Sequence, residues 1–414
     1  MKKWILLVCL LVLIGTVVIS FAEDKSSEKS VQMTGGFGAT SIDGVVWYNL
    51  TLMPEVAFGK LGIGLYIQLL YNDENGIREE DWKGWRKWSQ ILYYIRWDEK
   101  GAPLYIRLGA LPDASLGHGM IVGHYNNQLD IDSRKIGLLF DMNLNDGAYG
   151  FETIANDVLK ARVMGARGYI YPLPTTPFLD RLGIGATYAT DVNPDDDDTT
   201  KNDGLAVMGG DVEIPLVETS VFNVLAYDDI AKLRPEDSVL RKQFEEAKAD
   251  WGNAVGIMGE ITVIGYRVER RFFKKNFIGP YFDAFYEVER PNKLATVAAN
   301  TRDLKGWYGE LSYNIMGLGV MMSYEDYEGG KPRMHGEATL KGAVPNISLK
   351  AIYDKKEIDK FPKDLGELDR NSLLTTEIGY NIAPHVQTVI IYRQAFDKNG
   401  KVTKTSSLQT RFTF

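Results

Sequence analysis

The chain has 414 residues, of which 45% are hydrophobic and 25% are charged, so a disordered protein is not the default interpretation. Its formal net charge of -8 argues against a nucleic-acid partner, because nucleic acids are bound by basic surfaces. The mean hydropathy of -0.19 suits a soluble protein and also a membrane β-barrel, in which only alternate strand residues meet lipid.

The N-terminus predicts export. Two lysines precede an apolar run over 4–21, and small residues flank position 21, which predicts a signal peptide over 1–22 and a charged, Ser-rich linker over 23–30. An uncleaved helical anchor is the alternative, since about 18 apolar residues nearly span a bilayer. The only cysteine, Cys9, lies inside the run. The exported chain therefore needs a stabilising device other than disulfides, such as a large closed sheet.

From residue 31 onward, stretches of about ten residues alternate between apolar and polar side chains. In 305–315, for example, Trp307 and Leu311 fall on one face and Glu310 and Ser312 on the other. This period of two predicts half-buried strands. The pattern predicts twenty strands, although a count of 18 strands fits nearly as well. The predicted strands are 31–41, 45–58, 61–72, 87–98, 102–111, 133–142, 147–155, 160–171, 180–191, 204–214, 217–227, 253–272, 277–288, 305–315, 317–326, 333–342, 345–354, 372–382, 386–396 and 405–414. The stretch 253–272 changes phase near Gly265, which indicates a bulge or an extra hairpin.

Short and long connections between these strands very nearly alternate. The short ones are 59–60, 99–101, 143–146, 215–216, 274–275, 316, 343–344 and 383–384, and the long ones are 73–86, 112–132, 192–203, 228–252, 289–304, 355–371 and 397–404. Antiparallel strands that cross a slab produce this alternation, whereas Greek-key sandwiches do not. An even strand number places both termini at the tight-turn end.

Two segments depart from the β pattern. Leu240, Phe244 and Trp251 lie at helical spacing within 235–251, which predicts a short amphipathic helix that packs on the rim or into the lumen, with a partner-binding helix as the alternative. The acidic run 191–203 lacks the glycine and the terminal glutamate of an EF-hand loop. We interpret it as a solvated external loop rather than a defined Ca²⁺ site.

The last strand places Leu408, Thr410, Phe412 and Phe414 on one face, and the chain ends on that aromatic residue. Together with the export signal, the alternating strands and the turn asymmetry, this ending resembles bacterial outer-membrane β-barrels of the porin type. The resemblance implies an all-β fold, a transmembrane antiparallel up-and-down barrel of about 18–20 strands over 31–414. It also implies contact with outer-membrane lipid in a Gram-negative-type (diderm) bacterium. The barrel-assembly machinery would then recognise the strand ending in Phe414. Homo-oligomers are common among porins, but the sequence has no interface signal that argues for one.

A barrel of roughly 18–20 strands is wide enough to hold water. The face assigned to the lumen carries Arg96, Arg107, Arg167, Arg181, Arg333, Lys341, Lys350, Arg393 and Arg411, and the acids Asp211, Glu213, Asp283, Glu287, Glu310, Glu337 and Glu377. Opposed rows of charge produce a transverse field that filters solutes. The alternative is ion pairs that only rigidify the wall. The predicted pore-lining residues are Arg96, Arg107, Arg167, Arg333, Glu310, Glu337, Glu377, Arg393 and Arg411.

The long segment 112–132 combines glycines, an apolar stretch and two histidines, which is unusual for an exposed rim. We predict that it folds inward and narrows the pore, with Asp113, His118, His124 and Asp130 at the constriction. Metal binding by the two histidines with either aspartate is an alternative. No recognised ligand spacing supports it, so the sequence predicts no metal site and no cofactor.

No nucleophile elbow, zinc motif, phosphate loop or nucleotide fingerprint is present, so we do not predict an enzyme. A histidine within hydrogen-bond distance of a serine or an aspartate at the barrel mouth would favour one. The predicted function is a porin-like channel for passive diffusion of small hydrophilic solutes. The alternative is a structural or adhesive barrel whose lumen is occluded by its loops and the 235–251 helix. Solute identity, selectivity and oligomeric state are not specified by the sequence.

Overall fold

The computed structural model describes residues 29–128, 135–145, 147–172, 182–396 and 401–414. The predicted signal peptide, Asp130 and Arg181 lie outside these ranges. The first strand begins at Lys29, two residues inside the predicted linker.

The described residues form one antiparallel sheet that closes on itself. The strands are β1 Lys29–Ile42, β2 Val45–Phe58, β3 Leu61–Leu65, β4 Ile67–Asn72, β5 Gly76–Ile77, β6 Leu92–Trp97, β7 Leu104–Gly109, β8 Gly137–Leu144, β9 Tyr149–Ala155, β10 Val163–Ile170, β11 Gly183–Asp191, β12 Leu205–Glu218, β13 Phe222–Pro235, β14 Trp251–Ile261, β15 Ile264–Phe273, β16 Leu304–Ile315, β17 Leu318–Tyr327, β18 Arg333–Lys341, β19 Ile347–Lys355, β20 Ser372–Ala383, β21 Val386–Phe396 and β22 Val402–Thr413. Successive wall strands pair with one another, and β22 pairs with β1 to complete the barrel.

Twenty strands cross the wall in the described part of the chain, because β3 and β4 are two halves of one crossing and β5 pairs only with β4, in a loop. The predicted barrel and its even strand number are confirmed. The count of twenty is correct because two errors cancel. The single strand predicted at 253–272 is the hairpin β14–β15, which turns through Thr262 at φ 55°. The strand predicted at 277–288 is wrong, since this segment belongs to a loop that leads into a helix.

The two ends of the barrel differ as predicted. At one end, four connections are only two residues long, namely 59–60, 262–263, 316–317 and 384–385, and the first and last strands also have their free ends there. The opposite end carries most of the long connections, including 73–91, 110–136, 192–204, 274–303 and 356–371. Two predicted tight turns are wrong. Pro215 continues β12 through a bulge, so the turn comes after Glu218, and 274–275 opens a long loop.

The wall is apolar outside and polar inside. Trp307, Leu311 and Leu408 are each about 55% exposed on the outer face, whereas Ser407 and Gln409, between which Leu408 lies, are buried. Alternate residues of a strand project to opposite faces, so a lipid-facing belt needs only every second position. Phe414 donates its N–H to the Met33 carbonyl at 2.9 Å and accepts from the Met33 N–H at 3.1 Å, so the final residue extends the closing seam.

Helices occur only in the connections between described strands. The rim helix, Ser238–Ala247, confirms the helix predicted in 235–251; Asp237 caps it by accepting from the Leu240 N–H at 2.7 Å. The inner helix, Tyr286–Ala298, was not predicted. Shorter helical turns cover Glu79–Asp81, Trp85–Ser89 and Lys363–Gly366. In the described part of the chain, no helix combines the length and the apolar character needed to cross a membrane.

The larger cluster of buried apolar side chains lies inside the barrel. It unites residues of 110–128, residues of 274–303 and inward-facing wall residues such as Val207, Leu233 and Ala254. The outer face of a membrane barrel contacts lipid, so the apolar side chains of that face do not form a buried core. In an interior of this width, buried apolar packing requires connecting segments that fold inward.

Candidate functional site

All nine predicted pore-lining residues are described, and all lie on the inner face of the wall. Two form a pair: Arg411 donates to the Glu377 carboxylate at 2.6 and 3.1 Å. Arg96 lies directly opposite Arg107 across the β6–β7 ladder. Each of the other five forms a hydrogen bond or an ion pair with a group inside the barrel: Arg167, Glu310, Arg333, Glu337 and Arg393. Their effect on solutes is part of the function proposed below.

Residues 110–128, which we name the strap, leave β7 and fold into the lumen. The strap doubles back on itself, since Ala114 and Tyr125 exchange both backbone hydrogen bonds at 3.0 and 2.8 Å. Its buried apolar side chains are Ala110, Leu111, Ala114, Leu116, Met120, Ile121, Val122 and Tyr125. The sequence predicted an inward segment over 112–132, and the described part of that segment takes this course.

The strap contacts strands around much of the barrel. The Gly117 N–H donates to Glu152 on β9 at 3.0 Å. At the strap's two ends, Arg107 Nε donates to the Ala110 carbonyl at 3.0 Å, and Arg393 on β21 donates to the Gln128 carbonyl. The strap therefore extends from the strand at which it begins to distant parts of the wall.

His118 lies between two wall carboxylates at the tip of the strap. Its Nδ1 is 2.8 Å from Asp229 Oδ1 on β13, and its Nε2 is 3.0 Å from Glu213 Oε2 on β12. The Tyr227 ring stacks on the imidazole with centroids 4.2 Å apart, and Arg267 donates to the His118 carbonyl. Burial favours the neutral ring, but the two carboxylates outweigh burial and raise the pKa of His118 to about 9.

A third carboxylate, Asp211, completes this buried cluster. Arg167 Nη2 and Nε donate to the Asp211 oxygens at 2.5 and 3.2 Å. One donor atom each of His118, Asp211 and Asp229 lies within 4.8 Å of the others. The metal-ligand set considered from sequence is not brought together among the described residues, because His118 and His124 contact different carboxylates; Asp130 lies outside the described residues.

His124 belongs to a separate contact, on the other side of the strap. Its Nδ1 is 3.1 Å from Asp113 Oδ1, and its ring stacks on His335 of β18 with centroids 4.1 Å apart. His335 Nδ1 in turn lies 2.8 Å from Asp354. Burial acts to raise the pKa of Asp113, but the hydrogen bond and charge of His124 outweigh it and lower this pKa to about 2.

A second segment, residues 274–303, also folds inward and carries the inner helix; we name it the helical loop. It contacts the strap through a parallel bridge: the Gly123 N–H donates to the Phe282 carbonyl at 3.0 Å, and the Phe282 N–H donates to Ile121 at 3.0 Å. Tyr125 of the strap donates to Glu287 of the inner helix. The two loops therefore form one internal structure.

Buried ion pairs hold the helical loop to the wall. Arg290 donates twice to Asp191, at the end of β11, at 2.9 Å each, and the two side chains are 3% and 0% exposed. Asp283 pairs with Lys293 at 2.9 Å and with Arg333 of β18 at 2.7 Å. Burial raises the pKa of Asp283, but these two cations outweigh burial and hold the pKa well below its usual range.

The sequence did not indicate this second inward loop. Asp283 and Glu287 were assigned to the lumen, which is correct, but on a strand that does not exist. The spacing of Tyr286, Arg290 and Val297 is helical, and this was the available signal. Pro291 obscured it, because proline usually interrupts a helix beyond its first turn. Asp229 was placed in a long connection, and Asp191 was assigned both to the end of the strand 180–191 and to the acidic loop, whereas each lies buried on a wall strand.

Three histidine–aspartate pairs satisfy part of the criterion set for an enzyme: His118–Asp229, His124–Asp113 and His335–Asp354. A hydrolytic site also needs a nucleophile that the imidazole activates. Within the described ranges, no serine or threonine hydroxyl is hydrogen-bonded to any of these three rings. The pairs orient imidazoles against carboxylates and so favour charge compensation or metal ligation.

The chain is similar to several solved outer-membrane proteins at low sequence identity. With OpdL of Pseudomonas aeruginosa it shares 9% identity and a TM-score of 0.34, over 94% of this chain and 99% of that one. With OccK3 (OpdO) of the same organism the values are 11% and 0.35, over 96% and 98%. With OccAB2 of Acinetobacter baumannii they are 10% and 0.32, over 94% and 98%. No family model and no curated protein matches the chain. The fold assignment rests on the chain's own closed sheet.

Proposed function

We propose that the protein is an outer-membrane channel for passive diffusion of small hydrophilic solutes. The observation that carries the proposal is a closed wall of twenty strands whose inner face is charged and whose outer face is apolar. Barrels of 16–18 strands already leave an aqueous channel, so a wall of this size has room for water beside its inward loops. The same apolar belt supports a location in the outer membrane of a diderm bacterium, with insertion guided by the strand that ends at Phe414.

The strap and the helical loop form the filter in this proposal. They place His124 and Asp113 in the interior, while the wall presents Arg96, Glu377 and the other charged residues described above. Opposed charges at a narrow point select solutes by charge and dipole. Several of the wall charges are paired with one another, and paired charges largely cancel. The filter therefore depends most on the charges that contact the strap, such as those of Arg107 and Arg393.

One observation favours the alternative of a structural or adhesive barrel with an occluded lumen. The two loops share a hydrophobic core inside the wall, with buried aromatic residues that include Tyr125, Phe282 and Tyr286. A continuous plug of this kind closes some barrels of comparable size. The two functions differ in whether water passes the strap.

Single-channel conductance in a planar bilayer distinguishes them. We expect stable conductance steps from the purified, refolded protein, and a reversal potential in a salt gradient that reports charge selectivity. A variant in which a short Gly-Ser link replaces 112–126 is expected to conduct with larger steps. Folded wild-type protein that never conducts, combined with a conducting strap-deleted variant, would contradict the channel and support the occluded barrel.

A further inference from the structure

A small polar cavity lies between the strap tip and the wall. Its volume is about 20 Å³, and its lining includes His118, Asp211 and Asp229. A single water or ion needs roughly 10–15 Å³, so the cavity holds one such particle and little more. The cavity lies against β12 and β13, where His118 of the strap contacts the wall.

One oxygen that lines this region has no partner. Asp229 is 4% exposed, and its Oδ2 is buried without a hydrogen bond to any described residue, while its Oδ1 faces His118. Buried carboxylate oxygens are costly unless a donor or a cation compensates them. The unpartnered oxygen therefore points to a positively charged ligand in the adjacent cavity.

The donor set suits a divalent transition metal. One imidazole nitrogen and two carboxylate oxygens lie within 4.8 Å of one another. Bonds of about 2.1 Å to Zn²⁺ place any two ligand atoms at most about 4.2 Å apart, so small side-chain movements suffice. Imidazole favours zinc and its neighbours in the first transition series over Mg²⁺ and Ca²⁺.

The surroundings of the donors have the form of a second coordination shell. Glu213, which does not line the cavity, accepts from His118 Nε2, so it orients the ring and leaves Nδ1 directed at the cavity side. Arg167 holds Asp211 through two hydrogen bonds. Gly185 on β11 leaves the space that the Asp211 carboxylate occupies, because a Cβ at that position would collide with it. Metal-binding histidines and carboxylates are commonly fixed in these ways.

The local charge also calls for a cation. Four carboxylates converge here, those of Glu152, Asp211, Glu213 and Asp229. Arg167 and His118 supply at most two positive charges, and the nearby Arg267 is paired with Glu269. A net charge of about minus two remains while His118 is protonated and about minus three once its ring is neutral, so one divalent ion offsets most of the charge in this largely buried region.

We propose that His118 Nδ1, Asp211 and Asp229 bind one divalent transition-metal ion, which fastens the strap to the barrel wall. The ion takes the place of the proton that Nδ1 otherwise shares with Asp229, and that proton leaves to solvent. Metal binding is independent of whether the lumen conducts, so the proposal does not depend on the channel function.

The test is metal binding by tag-free, chelator-treated full-length protein in detergent. Isothermal titration with Zn²⁺ is expected to give one ion per chain, and Co²⁺ is expected to give a visible ligand-field spectrum that Zn²⁺ abolishes and Ca²⁺ does not. Asp229→Asn is expected to weaken Zn²⁺ binding by more than about 10-fold, and Glu213→Gln by about 10-fold or more. The matched control is Asp354→Asn, which alters a histidine–aspartate pair of the same 2.8 Å length elsewhere in the lumen and is expected to bind as the wild type does.

Folding of each variant is checked by heat-dependent gel mobility and far-ultraviolet circular dichroism. Wild-type protein that binds no stoichiometric Zn²⁺ overturns the proposal, and His118 is then an imidazolium held between two carboxylates. Equal affinity of folded Asp229→Asn and wild-type protein also overturns it. If Asp229→Asn does not fold, the wild-type Co²⁺ spectrum and the Glu213→Gln titration decide the outcome.

Discussion

The strap and the helical loop both enter the lumen, but they are held there differently. The strap has no helix, and separated polar contacts at Gly117, His118 and Gln128 attach it to the wall. The helical loop contains a 13-residue helix and contributes most of the largest buried aromatic side chains. Its connections to the wall include the fully buried ion pair Arg290–Asp191 and the largely buried pair Asp283–Arg333.

This difference indicates a division of roles. Removing one partner of a buried ion pair leaves an uncompensated charge, whereas the strap contacts at Gly117 and Gln128 are single hydrogen bonds that each contribute less. Among these three strap contacts, that of His118 is the buried ionic one. The helical loop is therefore the part whose loss destabilises the internal structure. The strap is the part whose position single substitutions can alter, and so, in the proposed channel, the part through which conduction is best changed.

The largest expected effect is on the buried pair. Arg290→Met leaves Asp191 charged and buried, and we expect it to lower the free energy of unfolding by about 3–5 kcal/mol. The control is Lys274→Ala, which breaks the half-exposed Lys274–Asp303 pair and should cost at most about 1 kcal/mol. Urea titrations of folded protein in lipid vesicles measure both. Similar losses in the two variants would mean that burial does not distinguish the pairs.

Acid should release the helical loop before it unfolds the wall. Salt bridges lower the pKa of Asp283 and of Glu287 against the effect of burial. A depressed pKa contributes stability above the unfolded value of about 4, and that contribution is lost as the pH falls through the folded value. We therefore expect pepsin cleavage within 277–298 to rise as the pH falls from about 4 to 2. Cleavage in the exposed loop 356–371 serves as the internal reference, and a constant ratio between the two sites would contradict the prediction.

A smaller effect is expected where the strap meets the helical loop. A Cβ added at Gly123 would lie 2.6 Å from the Gly119 carbonyl oxygen and 3.1 Å from Pro280. Gly123→Ala should therefore separate the strap from Phe282 and cost about 1–3 kcal/mol of stability. Gly168→Ala is the control, because a Cβ there meets no atom within 4 Å. If the two alanine variants unfold at the same urea concentration, the contact between the loops is not tightly packed.

The smallest effect is expected on ion selectivity. Arg107→Glu and Arg393→Glu each reverse a charge beside one end of the strap, and both should shift the reversal potential toward cation preference. The lysine variants keep the charge and should behave as the wild type does. If neither reversal changes the selectivity, these arginines are not part of the filter.

Much of the wall followed from local patterns. The inner-face assignment of Arg96, Arg411 and Glu377 needed only the period of two, because neighbouring residues of any strand project to opposite sides. The hairpin at Thr262 was harder, since a residue other than Gly, Asn or Asp takes the left-handed turn conformation there. Pro215 was misleading in the opposite sense, because a bulge lets β12 continue past a residue that usually ends a strand.

The sequence by itself determined the barrel, the even strand number and the contrast between its two ends, because these depend on alternation and on turn residues that lie close together in the chain. Only the tertiary structure decided what fills the lumen. His118 and Asp229 are 111 residues apart in the chain, and Arg290 and Asp191 are 99 apart. No local period couples such residues. Their contacts exist because the wall closes into a ring, which brings inward-facing side chains and two folded-in loops into one enclosed space.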